Sequence, residues 1–470
     1  MSYFRVDSEA SFNELRPHCS ICLIGIGGIA MSQLAILLKK LGYQVIGIDS
    51  QIYNPAKMIL TQNGIEVFCD VSCINWNSIQ LCVIGNSVTR LHPALKTIEE
   101  KQIPFCSMPK ALTDLLGNKK NRIVVAGTHG KSTTAALTAY GLKSLGYDPS
   151  YFVGAITKDN QTLTHAGKDD IAVFEGDEYD SAFFAKFSKF YYYRPNLFVV
   201  MSIDYDHRDI FPDEESYIEN FCNFINQLPG KSICLIHEQA YRKICSRLSF
   251  SSDQIALFPS EHFWIKPFGE DEAIVKLNDE QAKIKHSLIG RHNLDNILAS
   301  LIACKLTTGK YSTDIRCFPG LKRRLEIIKK THNFVLVDDF AHHPREVYAG
   351  LKALREKFKS HKICVFFEPR SNTSRSKLFE DEYAKSLSLA DFVCIRKPVI
   401  RHNDDPLKML DAETVLSKSG SNGLVLNEAT PTLTQDIIDQ LLRIDNEWVI
   451  VVMTNGSFDG LVETLNQLIP

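Results

Sequence analysis

VVAGTHGKSTTAALTAYGL, running from Val124 to Leu142, is the stretch on which the reading of this chain turns. The usual phosphate-loop pattern is G-x-x-x-x-G-K-[ST], and the position five residues before Gly130 is Val125, not glycine. The nearest glycine is Gly127, which leaves a tighter loop. The surroundings keep the required order. RIVVA reads as a short buried strand, and STTAALTAYGLKSLG reads as a helix with Leu137, Tyr140 and Leu145 along one side. A glycine-rich turn entering a helix presents N–H groups and the positive end of the helix dipole to an anion. Gly127, Thr128, His129, Gly130 and Thr133 are then the candidate cradle for ATP. Lys131 would reach the terminal phosphates, and the Ser132 hydroxyl would take a place on Mg²⁺. The plain alternative is a strand-to-helix turn with an exposed lysine; the strand–loop–helix context favours the phosphate.

Outward from that stretch, 470 residues suggest roughly three domains. Apolar content of 44% with 23% charged residues is that of an ordinary soluble globular protein. A net charge of -2 provides no general basic field, so nucleic acid is not an expected partner. The N-terminal MSYFRVDSEASFNEL lacks the apolar core and cleavage site of a signal peptide. ICLIGIGGIAMSQLAILL is apolar enough to suggest a membrane span, but its glycines and strand-then-helix pattern predict a buried βα unit. The 13 cysteines are scattered, several in apolar strands, which suits reduced thiols in the cytoplasm. Cys19 and Cys22 form a C-x-x-C with no second pair, so zinc is not expected there.

Strand and helix patterns alternate along the whole chain, which predicts the α/β class. Three domains are expected at residues 1–110, 111–317 and 318–470. The first and last are Rossmann-like and the middle one resembles a phosphate-loop ATPase. CFPGLKRRLE, with Pro, Gly and a basic cluster, marks the second boundary.

In the first domain, Gly25-Ile26-Gly27-Gly28-Ile29-Ala30 matches G-x-G-x-x-[GA], with Asp49 at the end of the second strand. Alone this suggests NAD and a dehydrogenase. The motif recognises a pyrophosphate at a helix N-terminus, however, and any nucleoside diphosphate carries one. In the middle domain, Glu175, Asp177, Glu178 and Asp180 follow one strand, and Asp204, Asp206, His207 and Asp209 follow another. Two polar clusters at strand ends after a phosphate loop favour Mg²⁺, although any one acid alone reads as a solvated loop charge. In the last domain, Asp338 and Asp339 end a strand, His342, His343 and Pro344 precede a helix, and Glu368, Arg370, Asn372 and Arg375 follow another strand. The plain reading of HHP, and of GRHNLDN with Asn293, is helix capping.

GIGGIAMS, AGTHGKSTT, FEGDEYD, DYDHRD, GRHNLDN, LKRRLE and DDFAHHP follow one another in the order found in the Mur ligases. Over essentially the whole chain the sequence resembles that family, whose phosphate loop is the tight variant. Two branches are nearest: ligases that add L-alanine to UDP-N-acetylmuramate, and murein peptide ligases. The stretch Glu368-Pro369-Arg370-Ser371-Asn372-Thr373 looks like the EPRSNT of the peptide branch, where the alanine branch has a QPHRYTR-type stretch.

The resemblance implies cytoplasmic, ATP-dependent ligation of UDP-N-acetylmuramate to L-alanyl-γ-D-glutamyl-meso-diaminopimelate recovered from the cell wall, with no membrane partner. It implies Gly25, Gly27 and Gly28 at the UDP pyrophosphate, with Asp49 and Asn86 near the uridine end. It implies Ser132, Glu175 and His207 at Mg²⁺, His292 and Asn293 near adenine, Arg324 near the γ-phosphate and Asp339 near the ribose. His342, Arg370, Asn372 and Arg375 would face the peptide, and Lys131, His207, Arg324 and His342 would be the catalytic group. More distant relatives use a carboxylated lysine after the His207 position, but no lysine occurs here between His207 and Lys231. The rivals are an L-alanine-adding ligase, a nicotinamide dehydrogenase and a non-catalytic UDP-sugar-binding regulator.

Overall fold

Strand Asn121–Ala126, which feeds the phosphate loop, lies at the centre of a seven-stranded sheet. The computed structural model describes residues 9–249, 251–401, 404–442 and 447–469; the N-terminal segment through Ser8, where no export signal is expected, lies outside them. The sheet order is Ile255–Phe258, Ile233–His237, Leu197–Val200, Asn121–Ala126, Ile171–Gly176, Ser150–Ile156, Thr162–His165, parallel except for the last pair. A central parallel strand is covered on both faces, which is why IVVA is uniformly apolar and fully buried.

The N-terminal sheet is five-stranded and parallel, in the order Glu66–Phe68, Gln44–Ile48, Ser20–Ile24, Ile79–Ile84, Phe105–Ser107. Its order reverses beside Ser20–Ile24, which creates a topological switch point at the carboxyl ends of that strand and Ile79–Ile84. ICLIGIGGIAMSQLAILL is the buried βα unit expected, strand Ser20–Ile24 followed by helix Ile29–Lys40. No helix among the described residues is long and apolar enough to cross a membrane. Cys22, Cys82, Cys234, Cys364 and Cys394 are free, buried and inside strands.

The chain packs as two compact units. The first takes the chain through Tyr205, then Glu214–His286 and Asp295–Phe318, and so contains both sheets above. Two features join those sheets. Helix Ile29–Lys40 carries Gln33, whose Nε2 donates to Val153 O and Ala155 O at 2.9 Å and whose Oε1 accepts from Leu163 N at 2.6 Å. A hairpin, Asp180–Ala182 with Ala185–Ser188, pushes Phe183 and Phe184 into the apolar core of the N-terminal sheet. Helix Met108–Leu116 runs through residue 110, the first expected boundary.

Helix Lys131–Ser144 differs from its expected single apolar stripe. Thr133 through Ala139, Gly141 and Leu142 are buried, whereas Tyr140 is half-buried and so is Leu145, just past the helix end. Small residues allow close approach on several sides at once. A Cβ at Gly141 would lie 3.1 Å from Cys304 Sγ, on the neighbouring helix His292–Thr308.

The second unit takes Asp206–Asp213, Ser287–Leu294 and the chain from Pro319 onward. Its six-stranded sheet runs Glu326–Lys330, Phe334–Asp339, Trp448–Met453, Lys362–Phe367, Phe392–Arg396, Asn422–Leu426, parallel except for the first pair. Its two apolar faces are each covered by helices, the doubly wound arrangement expected.

Candidate functional site

The tight loop is built by glycines where the pattern needs them. Gly127 has φ +124° and Gly130 φ +80°, conformations that other residues rarely adopt. A Cβ at Gly127 would sit 2.6 Å from Ser202 O, so the loop lies directly against the chain leaving strand Leu197–Val200. Thr128 N donates to Ser202 O (3.1 Å) and His129 N to Ser202 Oγ (2.8 Å). Thr128 Oγ1 donates to Asp204 O at 2.8 Å and contacts Tyr217 OH at 2.7 Å. Thr128 and His129 therefore hold the loop in shape. The N–H groups of the first helical turn, Lys131, Ser132 and Thr133, have no intrahelical acceptor, the arrangement that suits an anion. Gly130 precedes that turn without a side-chain cap, which leaves its N-terminus open.

A charged network lies beneath this turn. Lys131 Nζ donates to Glu178 Oε2 at 2.9 Å and is 3.9 Å from Asp177 Oδ1. Asp177 also receives Lys189 Nζ at 2.6 Å and Tyr179 OH at 2.9 Å. Burial alone would lower the Lys131 pKa, but Glu178, Asp177 and Glu175 together hold it above its ordinary value, so the lysine is a fixed cation. Burial opposes ionisation of Asp177 as well, yet Lys189 and Lys131 bring it down to about 2.

Ser132 Oγ donates to Glu175 Oε1 at 2.5 Å, and Gly154 N donates to Glu175 Oε2 at 2.8 Å. Burial and the nearby Asp177 raise the Glu175 pKa, against Lys131 and these hydrogen bonds. A bound cation would favour its ionised form. Ser132 and Glu175 present hard oxygen donors side by side, a donor set that fits Mg²⁺, which takes one or two carboxylates and completes its shell with phosphates and water. Among the described residues no group of three or more His, Cys, Asp or Glu is placed to hold a metal by itself.

The glycine motif of the N-terminal sheet meets this region. Gly25 makes the turn after Ser20–Ile24 at φ +77°, and Gly27 N donates to Asp49 Oδ2 at 2.8 Å. One oxygen of the expected ribose-binding acid is thus committed to shaping the turn. Gly28, which starts helix Ile29–Lys40, has no atom within 4 Å of where a Cβ would stand, so its face is open. Asn86 is exposed in the turn after Ile79–Ile84, across the switch point. At Gly154 a Cβ would lie 3.4 Å from Glu175 Oε2 and 3.8 Å from Ala30 Cβ. The open helix start and the Ser132–Glu175 pair therefore flank the same bare backbone.

In the second unit, His207 and His342 gather around Asp206. His207 has φ +54° and its N–H donates to Asp206 Oδ1 at 2.7 Å, while each imidazole Nε2 lies 4.0 Å from Asp206 Oδ2. Burial would raise the Asp206 pKa, but His207, His342 and a Thr373 hydrogen bond hold it well below the carboxylate range. His342 Nδ1 is 3.4 Å from Glu346 Oε2, and His343 Nδ1 accepts from Arg345 N, the capping role read from HHP. Asn293 does not cap in the expected sense: it stands inside the helix, and its Nδ2 donates back to Ile289 O at 2.8 Å. His292 is the first residue of that helix.

Arg324 lies over the Phe340 ring, 5.2 Å from its centroid, with Nη1 at 3.3 Å from Glu346 Oε1. Asp339 is buried at a strand end, and Ala341 N donates to its Oδ1 at 3.2 Å. Of the basic residues expected at a peptide, Arg370 is exposed and rests on Gly456, where a Cβ would come 2.2 Å from its Nη1. Arg375 is instead a buried brace: Nη1 binds Val399 O and Asp404, and Nη2 donates to Asn372 Oδ1 at 2.9 Å. Asn372 also receives Arg401 Nη1 at 3.1 Å.

Glu178, Asp206 and Arg401 were not singled out in the sequence for these contacts. Glu178 and Asp206 were legible only as members of acidic runs, and Arg401 stands in a stretch without periodic pattern.

Three family models match consecutive parts of the chain: the Mur ligase family catalytic domain at residues 20–120, the Mur ligase middle domain at 125–304 and the Mur ligase glutamate ligase domain at 323–456. The chain is 32% identical over 456 residues to the UDP-N-acetylmuramate–L-alanyl-γ-D-glutamyl-meso-2,6-diaminoheptandioate ligase of Escherichia coli strain K12, covering 95% of this chain and 97% of that protein. It is 28% identical over 413 residues to the UDP-N-acetylmuramate–L-alanine ligase of Endomicrobium trichonymphae, covering 86% and 89%. The crystal structure of a murein peptide ligase from Psychrobacter arcticus superimposes with a TM-score of 0.68 at 25% identity, over 96% of this chain and 100% of that one. A full-length relative, three domain matches in order and an open phosphate loop above a fixed lysine agree: the chain belongs to the Mur ligase family, ATP-dependent ligases that form C–N bonds.

Proposed function

We propose that this ligase joins the lactyl carboxyl of UDP-N-acetylmuramate to the amine of L-alanyl-γ-D-glutamyl-meso-diaminopimelate, in the cytoplasm, as a step of cell-wall recycling. The observation that carries the reading is the junction at Gly154, where the open start of the glycine-motif helix and the Ser132–Glu175 pair lie against one stretch of backbone. A UDP-sugar seated by its pyrophosphate on Gly27 and Gly28 would extend toward the place where ATP phosphates meet the helix start at Lys131.

A carboxylate is a poor electrophile, so the γ-phosphoryl group passes to the lactyl carboxylate, giving ADP and an acyl phosphate. The amine then attacks the acyl carbon, and phosphate leaves with the C–O electron pair. Lys131, already cationic beneath the loop, neutralises charge on the phosphates, and the N–H groups of residues 131–133 orient them. Ser132 and Glu175 would hold Mg²⁺, which when bound supplies further charge neutralisation. The metal role of His207, the nucleotide roles of His292, Asn293, Arg324 and Asp339, and the peptide role of His342 are part of the same proposal. Each is open to test by its own alanine variant.

The peptide is preferred over L-alanine as the amine on two supports: the full-length relative above, and exposed Arg370 in EPRSNT, a bidentate donor suited to a carboxylate. The test is a reaction with ATP, UDP-N-acetylmuramate and tripeptide, reading phosphate release and product mass together. One phosphate per amide is expected, and omission of any substrate should abolish product. NADH should give no binding signal, since an Asp49 oxygen that would hold its ribose is bonded to Gly27 N. Tight NADH binding without amide formation would replace the ligase reading with a dehydrogenase.

A further inference from the structure

A cleft of about 800 Å³ opens in the first unit, lined by Arg122 and Arg194, by Tyr191 and Tyr192, and by Lys110 and Asn118. Arg122 is the second residue of strand Asn121–Ala126, whose far end carries the phosphate loop. Five residues of strand separate Arg122 from Gly127 by about 16 Å, so the cleft lies at the opposite end of the strands from the loop.

The charges around it do not balance. Glu9 is committed: its oxygens accept from Ser107 N and Oγ, both at 2.7 Å, and from Tyr192 OH at 2.5 Å. Asp114 is committed too, to Lys110 Nζ at 2.6 Å and to Phe12 N and Ser11 Oγ at 2.9 Å. Arg122 donates Nε to Arg194 O at 2.7 Å and Nη1 to Lys119 O at 2.5 Å, both neutral carbonyls. The charge that acts on it is that of Arg194, and burial together with this second cation holds Arg122 below its ordinary pKa. Two guanidiniums thus stand at one cleft with no carboxylate paired to either among the described residues.

The backbone adds an independent observation. Arg194 has φ 45° and ψ 64°, left-handed for a residue that is not glycine and that precedes Pro195. Such a conformation persists only where its surroundings determine it, and such residues cluster at binding sites. Here it turns the Arg194 carbonyl onto Arg122 and keeps the two side chains together at the cleft. Tyr192, stacked on Phe187 with ring centroids 5.0 Å apart, forms a rigid wall beside them.

We propose that this cleft is a second anion site, separate from the phosphate loop, for a small ligand carrying two or more negative oxygens gripped by the guanidinium of Arg194 and the remaining N–H groups of Arg122. Phosphate and carboxylate oxygens share this chemistry, and the probes separate them.

Calorimetric titration of pyrophosphate and, separately, of citrate into the full chain should show binding by at least one of them. Arg194→Glu should weaken that binding at least tenfold while ligation turnover stays normal, because residue 194 is exposed and the new carboxylate pairs with Arg122. Arg194→Lys should retain part of the affinity. In Lys131→Ala, which removes the phosphate-loop lysine, the Arg194-dependent binding should persist. Binding that vanishes in Lys131→Ala alone, equal isotherms for the unmodified protein and Arg194→Glu, or no binding of either probe would each overturn the site.

Discussion

Beneath the phosphate loop, Glu178 is sealed from solvent against Lys131, and Asp177 lies between Lys131 and Lys189. At the end of strand Phe334–Asp339, Asp338 and Asp339 are also buried, but their nearest cations are less closely engaged. Arg323 Nε stands 3.4 Å from Asp338, and Glu326 and Glu346 add negative charge nearby. The outcomes are opposite. Asp177 is brought to about 2, whereas burial pushes Asp338 up to about 6 and Asp339 up to about 7. Burial alone does not decide whether an acid is charged; the number and closeness of its cations do. The first region is a preformed charged cradle that needs no proton exchange to meet a phosphate. The second releases its protons only between about pH 6 and about pH 7.

The largest effect that breaks the comparison is loss of the cradle's lysine. Lys131→Ala should reduce turnover by roughly a thousandfold or more while UDP-sugar binding survives. It should also destabilise the fold, because buried Glu178 loses the cation that donates to it at 2.9 Å. Lys131→Ala with Glu178→Gln should recover much of that stability but none of the turnover. Urea unfolding and phosphate release separate the two. Near-normal turnover in the single variant removes the phosphate-loop assignment.

A second test stays in the same region. Glu175→Ala should raise the Mg²⁺ concentration for half-maximal turnover by roughly 10- to 100-fold. An unchanged Mg²⁺ titration would withdraw Glu175 as a metal ligand.

The two arginines of the second unit sharpen the contrast between an exposed and a committed charge. Arg370→Ala should lower kcat/KM for tripeptide roughly 10- to 100-fold, leaving the KM for ATP and the stability nearly unchanged. Arg375→Ala should instead cost about 1–3 kcal/mol of stability, since it removes the brace to Asp404 and Asn372. If the roles came out exchanged, the assignment of Arg370 to the peptide would fail.

The last test is the pH response of the second region. A native carboxyl with a raised pKa keeps a proton that the unfolded chain has released, so its stabilisation is lost as pH rises. For Asp339 the window runs from its ordinary 3.8 to about 7. The shift corresponds to roughly 4 kcal/mol at most across that window. Asp177 runs the other way, its contribution present above 3.8 and lost as pH falls toward about 2. Asp339→Asn should therefore gain stability relative to the unmodified protein between about pH 5 and about pH 8. A constant difference across that range in paired urea unfolding curves would contradict the raised carboxyl.

Which parts were legible follows from the same physics. GTHGKST and GIGGIA announce their turns because only glycine tolerates those backbone angles and approaches, and the apolar runs ICLI, IVVA and FVLV are strands for want of any polar face. The hairpin carrying Phe183 and Phe184 was hidden because two aromatics in a short loop have no periodicity; what they bury lies on another sheet. The antiparallel sheet Phe263–Pro267, Glu272–Leu277, Glu280–Lys285 carries a sequence signal of its own. KLNDEQ joins alternating runs through Asn278-Asp279, with Asn278 at φ +58°, a two-residue hairpin turn. Gln33, a lone amide in an apolar helix, was likewise a sign of a buried polar junction. The brace role of Arg375 was not readable, since spacing alone cannot tell an arginine facing substrate from one facing Asp404.

The most direct measurement compares kcat/KM for L-alanyl-γ-D-glutamyl-meso-diaminopimelate and for L-alanine, with ATP and UDP-N-acetylmuramate saturating. A charge-assisted carboxylate contact at Arg370 is worth roughly tenfold to a hundredfold by itself, and the tripeptide offers further carboxylates. The tripeptide should therefore win by at least that margin, with one phosphate released per amide formed. Equal kcat/KM values, or a preference for L-alanine, would contradict the peptide-ligase reading and leave the chain an L-alanine-adding Mur ligase.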